Sequence, residues 1–67
     1  MKISNKFFVA VKTSKTKIYT LALNAGMSPS TLSQILHGMI KVSHINIPKL
    51  EQIGKVLNLK PNEIFEA

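Results

Sequence analysis

Residues 26–38, GMSPSTLSQILHG, gather the side chains whose types and spacing could do chemistry. Leu32, Ile35 and Leu36 recur at helical spacing and make one apolar stripe, so Pro29, Ser30, Ser33, Gln34 and His37 fall on the opposite side. Serine and threonine compete with the backbone for hydrogen bonds, and a sequence chosen for helix stability alone would carry Ala, Glu or Lys at these positions. A slim face of hydroxyls with one carboxamide instead suits the edges of base pairs. It can enter a major groove, where glutamine pairs with N6 and N7 of adenine and hydroxyls meet bases or phosphates. The bland alternative is an ordinary solvated polar face; the glycine-bounded turn in front of the segment weighs against it.

Other constellations are weaker. His37 and His44 lie seven positions apart across a glycine, with no cysteine or aspartate anywhere in the chain, so neither a metal site nor any cofactor is expected. Ser33 near His37 has the outline of a nucleophile and base, but no acid nearby could orient the histidine, and the chain is not expected to be an enzyme. Tyr19, the one tyrosine, reads as a surface or half-buried residue rather than a stacking platform.

The elements that must position this face are all helical in pattern. Ser4 is a good N-cap, and Ile3 before it with Phe8 after it form the pairing of a hydrophobic staple. A first helix should run to about Thr13 with Phe7, Phe8 and Val11 inward. Thr16 is the expected cap of a second helix, IYTLALNA, whose Ile18, Leu21, Ala22 and Ala25 share a face and whose end is marked by Gly26. Ser28 as N-cap and Pro29 at the first position open a third helix, closed by His37 and Gly38. Two helices separated by so short a glycine-containing link have the form of a helix-turn-helix. Residues 39–46, MIKVSHIN, make a longer connection with room for a short extended piece. A fourth helix from about Pro48 should carry Leu50, Ile53, Val56 and Leu57 inward, with Asn58 left-handed after it. Lys60 and Pro61 then open a last short helix holding Ile64 and Phe65.

Length and charge bound the rest. The chain has 67 residues, a formal charge of +6 and no cysteine. One small domain, residues 1–67, is expected, with no disulfide framework and a reducing, cytoplasmic setting. Every acid, Glu51, Glu63 and Glu66, follows the lysines at positions 2, 6, 12, 15, 17, 41 and 49. Such segregation favours a polyanion partner on one side, nucleic acid before membrane. The early apolar run Phe7–Val11 is too short for a signal-peptide core or a span, so no membrane association is expected.

Taken together, Leu21, Ala22, Gly26, Ser28, Leu32, Ile35 and Gly38, followed by LEQIGKVLNL with Leu50, Ile53 and Leu57, resemble the Cro and lambda-repressor type of helix-turn-helix, often called the Xre family. The resemblance runs from about Ile3 to Phe65. It implies an all-α, compact five-helix lambda-repressor-like domain with the helix-turn-helix at helices 2 and 3. It also implies a sequence-specific transcriptional regulator of double-stranded DNA, a repressor that binds a palindromic operator as a homodimer. An antitoxin of the same fold, covering a toxin partner and repressing its own operon, is the alternative.

Carried over by position, the base-reading residues are Pro29, Ser30, Ser33 and Gln34, and the phosphate-contacting residues are Lys17, Ser28, Thr31, His37, Lys41, Ser43 and His44. Two departures stand out. Ile18 occupies the first position of helix 2, where the family often has a phosphate-bonding glutamine, leaving Lys17 and the free helix-end N–H groups for that task. Many members bury an arginine of helix 1 against a glutamate of helix 3; Val11 and Leu36 stand there, a replacement that is often neutral or stabilising when both partners change. For the dimer, Ile64 and Phe65 are the first candidates, with Ile45 and Ile47 as the alternative.

Overall fold

The computed structural model describes residues 2–66. Five helices run in chain order, α1 (Asn5–Thr13), α2 (Ile18–Asn24), α3 (Pro29–Leu36), α4 (Ile47–Val56) and α5 (Pro61–Ile64). They are joined by one feature absent from the sequence-based expectation: β1 (Lys2–Ile3) pairs antiparallel with β2 (Phe65–Glu66), in the register Lys2 with Glu66 and Ile3 with Phe65. Phe65 therefore belongs to a strand and not to the last helix.

The stops of α2, α3 and α4 follow one chemistry. After α2, Gly26 turns left-handed at φ 74°, Met27 N–H donates to the Ala22 carbonyl at 2.8 Å, and Gly26 N–H donates to that of Leu23 at 3.0 Å. This pair of bonds is the Schellman motif. It repeats after α3, where Met39 bonds Gln34 and Gly38 bonds Ile35, and after α4, where Leu59 bonds Gly54 and Asn58, at φ 61°, bonds Lys55. The starts are less uniform. Ser4 caps α1 by accepting from Phe7 N–H at 3.1 Å. Thr16 does not cap α2: its N–H donates to Ser14 Oγ at 3.1 Å within the preceding turn, and the N-cap falls one residue later than expected, on Lys17.

A single apolar core lies among the helices, built from Phe7 and Val11 of α1, Leu21 and Ala22 of α2, Leu32, Ile35 and Leu36 of α3, Leu50 and Ile53 of α4, and Ile64 of α5. Ala25 and Met27 of the turn complete it. Among the described residues no polar or charged side chain is buried, and Val11 and Leu36 sit in the same cluster. Phe8 and Ile18 are half-buried against it. Two expectations change. Val56 points to solvent, because Leu50, Ile53 and Leu57 define the inward stripe of α4 and Val56 lies about 100° round the helix from Leu57. Residues 39–46 form no strand: Met39 N–H returns to the Gln34 carbonyl, Val42 packs on the core, and the segment closes in a turn in which Asn46 N–H bonds the Ser43 carbonyl at 3.0 Å.

The chain ends are tied by more than the strand pair. Ser4 N–H donates to the Ile64 carbonyl at 2.7 Å, and Ser4 Oγ donates to the Glu63 carbonyl, 59 positions away. Glu63 accepts from Lys60 N–H with one carboxylate oxygen, at 2.9 Å, and pairs with Lys6 through the other. Gly54 lets α4 and α5 approach: a Cβ there would lie 2.2 Å from Ile64 Cδ1.

Candidate nucleic-acid interface

On α3 the periodicity resolves as the sequence implies. Leu32, Ile35 and Leu36 are buried, which turns Pro29, Ser30, Ser33 and Gln34 away from the core. That face is not uniformly open. Ser30 is exposed, whereas Pro29, Ser33 and Gln34 are half-buried, as is Thr31. Ser28 is the N-cap in position but its side chain makes no capping bond, and Pro29 at the first helical position has no N–H. The N-terminal amides of α3 thus keep donor capacity, and the Ser28 hydroxyl is exposed beside them. Lys17, exposed at the start of α2, is likewise an N-cap without a side-chain capping bond.

Beyond the far end of α3, His37 is the C-cap, and Lys41, Ser43 and His44 follow in the loop, all four exposed. Ser43 is occupied in part, since its Oγ accepts from Asn46 N–H at 3.3 Å. Lys41 lines a shallow groove with Gly38, Ile40 and Val42, whose other wall is Lys2 and Ile3. Of the expected residues, Ser28, Pro29, Ser30, Thr31, Ser33 and Gln34 thus lie at the start and along α3, His37, Lys41, Ser43 and His44 at its end and in the loop that follows, and Lys17 apart from them at the start of α2.

His37 is more constrained than a surface histidine. Its Nδ1 lies 2.8 Å from the Ser33 carbonyl oxygen, an acceptor, so the proton sits on Nδ1 and Nε2 faces outward as the free ring nitrogen. Its ring also meets Phe8 of α1 edge to face, with centroids 5.7 Å apart and planes at 85°. On the same Phe8 ring rests the Lys12 ammonium, 5.5 Å from the centroid. The sequence-derived set contains neither Phe8 nor Lys12. The signal was present in the one-turn spacing of an aromatic and a cation on α1, but nothing in sequence marks which helix end they face.

The electrostatics sharpen the charge segregation. Among the described residues two of the three acids pair with lysines at the chain ends, Lys2 with Glu66 at 3.6 Å and Lys6 with Glu63, while Glu51 forms no such pair. Lys12, Lys15, Lys17 and Lys41 form no ion pair there. Those four lie on α1's last turn, the α1–α2 link and the loop after α3; Lys49, Lys55 and Lys60, on α4 and the link that follows it, form no ion pair either. The Glu63 carboxyl is held below the usual carboxylate range by the Lys6 ammonium and then by the Lys60 N–H.

No helix among the described residues is long and apolar enough to cross a membrane. No curated protein and no solved structure matches the chain. A family model described as the Cro/C1-type HTH DNA-binding domain matches residues 9–67, spanning every helix from the middle of α1 onward. With the glycine-turned α2–α3 pair and the outward polar face of α3 in agreement with that match, the chain belongs to the Cro/C1-type helix-turn-helix family of DNA-binding domains.

Proposed function

We propose that this protein is a cytoplasmic, sequence-specific transcriptional repressor that binds a palindromic operator as a homodimer and acts by occupying it. The observation that carries the reading is the division of α3: three apolar side chains bury one face, the opposite face offers Ser30 and Gln34, and the unpaired Lys41 follows in the loop beyond its C-terminal end. In this reading Pro29, Ser30, Ser33 and Gln34 meet base edges, while Lys17, Ser28, Thr31, His37, Lys41, Ser43 and His44 hold phosphates. A dimer follows from specificity, because one short helix reads too few base pairs; two copies would span half-sites about one helical turn, roughly 34 Å, apart. Ile64 is fully buried and is not available for that interface, so the alternative set around Ile45, which is 74% exposed, becomes the candidate. Met39, also exposed, lies in the same loop, and that apolar surface equally favours the antitoxin reading. A stoichiometric partner recovered with the protein from its source cells would select it.

Two substitutions separate base reading from charge. Gln34→Ala should lose about 1–3 kcal/mol on a site selected from random duplexes and little on random DNA, with the salt dependence nearly unchanged. Lys41→Ala should weaken both DNAs alike and lower the salt slope by about one per subunit. Equal losses on both DNAs for Gln34→Ala would remove α3's outer face as the reading surface. Sedimentation of a monomer, both free and on the best site, would remove the dimer.

A further inference from the structure

α1 contributes nothing to the contact set that the family pattern implies, yet one aromatic ring carries it to the end of α3. Phe8 is half-buried against the core and presents its ring to two exposed groups, the His37 imidazole and the Lys12 ammonium. Neither has a carboxylate partner among the described residues. An ammonium resting on an aromatic face and an imidazole held by both that ring and the Ser33 carbonyl are two polar groups with restricted freedom on one apolar seat. Restricting them before binding reduces the entropy that an anion contact would otherwise cost.

We propose that Lys12 and His37, seated on Phe8, form a clamp for the DNA backbone at the C-terminal end of α3, so that α1 touches phosphate directly. The proposal rests on the reading that α3 lies against DNA. It also fixes the protonation state of the contact. With its Nδ1–H donated to Ser33, a neutral His37 offers only an acceptor at Nε2, and a phosphate oxygen is an acceptor too. The contact forms when Nε2 carries a proton as well, so closing the clamp is linked to protonation of the ring. The charged group sharing the seat is the Lys12 ammonium on α1, and Lys41 and His44 follow in the loop leaving α3. Lys6 of α1 is already paired with Glu63. The bound phosphate supplies the negative charge that favours the imidazolium.

Titrations of a selected duplex and a random duplex, over a range of salt at about pH 6 and about pH 8, test the clamp, since histidines change charge across that interval. Lys12→Ala, an exposed change, should weaken both duplexes several-fold and reduce the salt slope by about one per subunit, and Lys12→Arg should restore both. Wild-type affinity should rise on acidification by up to about tenfold per pH unit for each linked proton, and His37→Gln should flatten that rise. Phe8→Leu keeps an apolar side chain against the core and should lose part of both effects, with circular dichroism reporting that the fold is kept. An unchanged salt slope in Lys12→Ala, or a pH dependence that survives His37→Gln, overturns the clamp. If Lys41→Ala still lowers the slope in that case, the helix-turn-helix reading stands without the clamp; if it does not, the reading of α3 on DNA falls with it.

Discussion

The helix-turn-helix and the joined chain ends are built by opposite means. Between α2 and α3 the geometry is settled within a few residues: Gly26 turns left-handed, Met27 and Gly26 return hydrogen bonds to the carbonyls of α2, and Met27 then drops its side chain into the core. At the chain ends nothing is local. Ser4 bonds Glu63 and Ile64, Lys6 pairs with Glu63, and Lys2 aligns with Glu66 across the strand pair. A turn whose shape is fixed by its own backbone keeps the angle between its two helices under modest change elsewhere. The ends, by contrast, are held only once the rest of the chain has brought them together, and their loop-closure entropy is offset only at that stage.

The largest effect should come from the side of α3 that faces the core. Leu36→Glu puts an unpaired charge among apolar neighbours and should cost about 3–5 kcal/mol in urea unfolding. Adding Val11→Arg should recover part of that loss if α1 and α3 meet there as their shared cluster implies. A double variant no more stable than Leu36→Glu would separate the two residues.

At the joined ends the sharpest test is Gly54→Ala. Helix propensity favours alanine by up to about 1 kcal/mol, but the new methyl meets Ile64 Cδ1 and Cγ1 in a fully buried side chain, an overpacking that costs about 1–3 kcal/mol. We expect a net loss, relieved by combining it with Ile64→Val, which removes the nearest atom. Stabilisation by Gly54→Ala alone would mean that α5 can move away from α4 without cost.

The smallest effect is electrostatic and confined to acid. Because the Glu63 carboxyl is lowered in the folded state, its contribution is full above the unfolded carboxylate value, near 4.3, and is lost as pH falls through the lower folded value. Melting temperature should therefore drop on acidification more in the wild type than in Glu63→Gln, with the two curves converging at the acid end. Parallel curves would show that the pair with Lys6 contributes nothing to joining the ends, as exposed pairs often do not.

The same contrast explains what could be read from sequence. Stops at Gly26, Gly38 and Asn58, the N-caps at Ser4 and Ser28 and the apolar stripe of α3 all express short-range rules, and each stands where those rules put it. The strand pair was not legible, because two residues per strand carry no alternation and their partners are more than sixty positions away. Met27 was hidden because a turn has no period to betray its inward residue. Val56 was misread because an apolar side chain near a helix end satisfies the pattern whether or not it reaches the core. The outward residues of α3 were legible as a face, but the seat that Phe8 gives to Lys12 and His37 depends on how α1 crosses the end of α3, and spacing within one helix does not encode a crossing.

The antiparallel register of β1 and β2 also has a topological consequence. Lys2 and Glu66 stand opposite one another, so a two-residue Asn-Gly turn in place of residues 67 and 1 would join the strands as a hairpin and make the backbone circular. Reopening that circle among the exposed residues 43–45 would give a permuted chain that begins with α4 and ends with the helix-turn-helix. In that order the contacts between α1 and α5, long-range in the present chain, become those of sequence neighbours, while the turn between α2 and α3 is untouched. A closure across the whole chain would then be traded for a local one, outside α3 and the face that it presents.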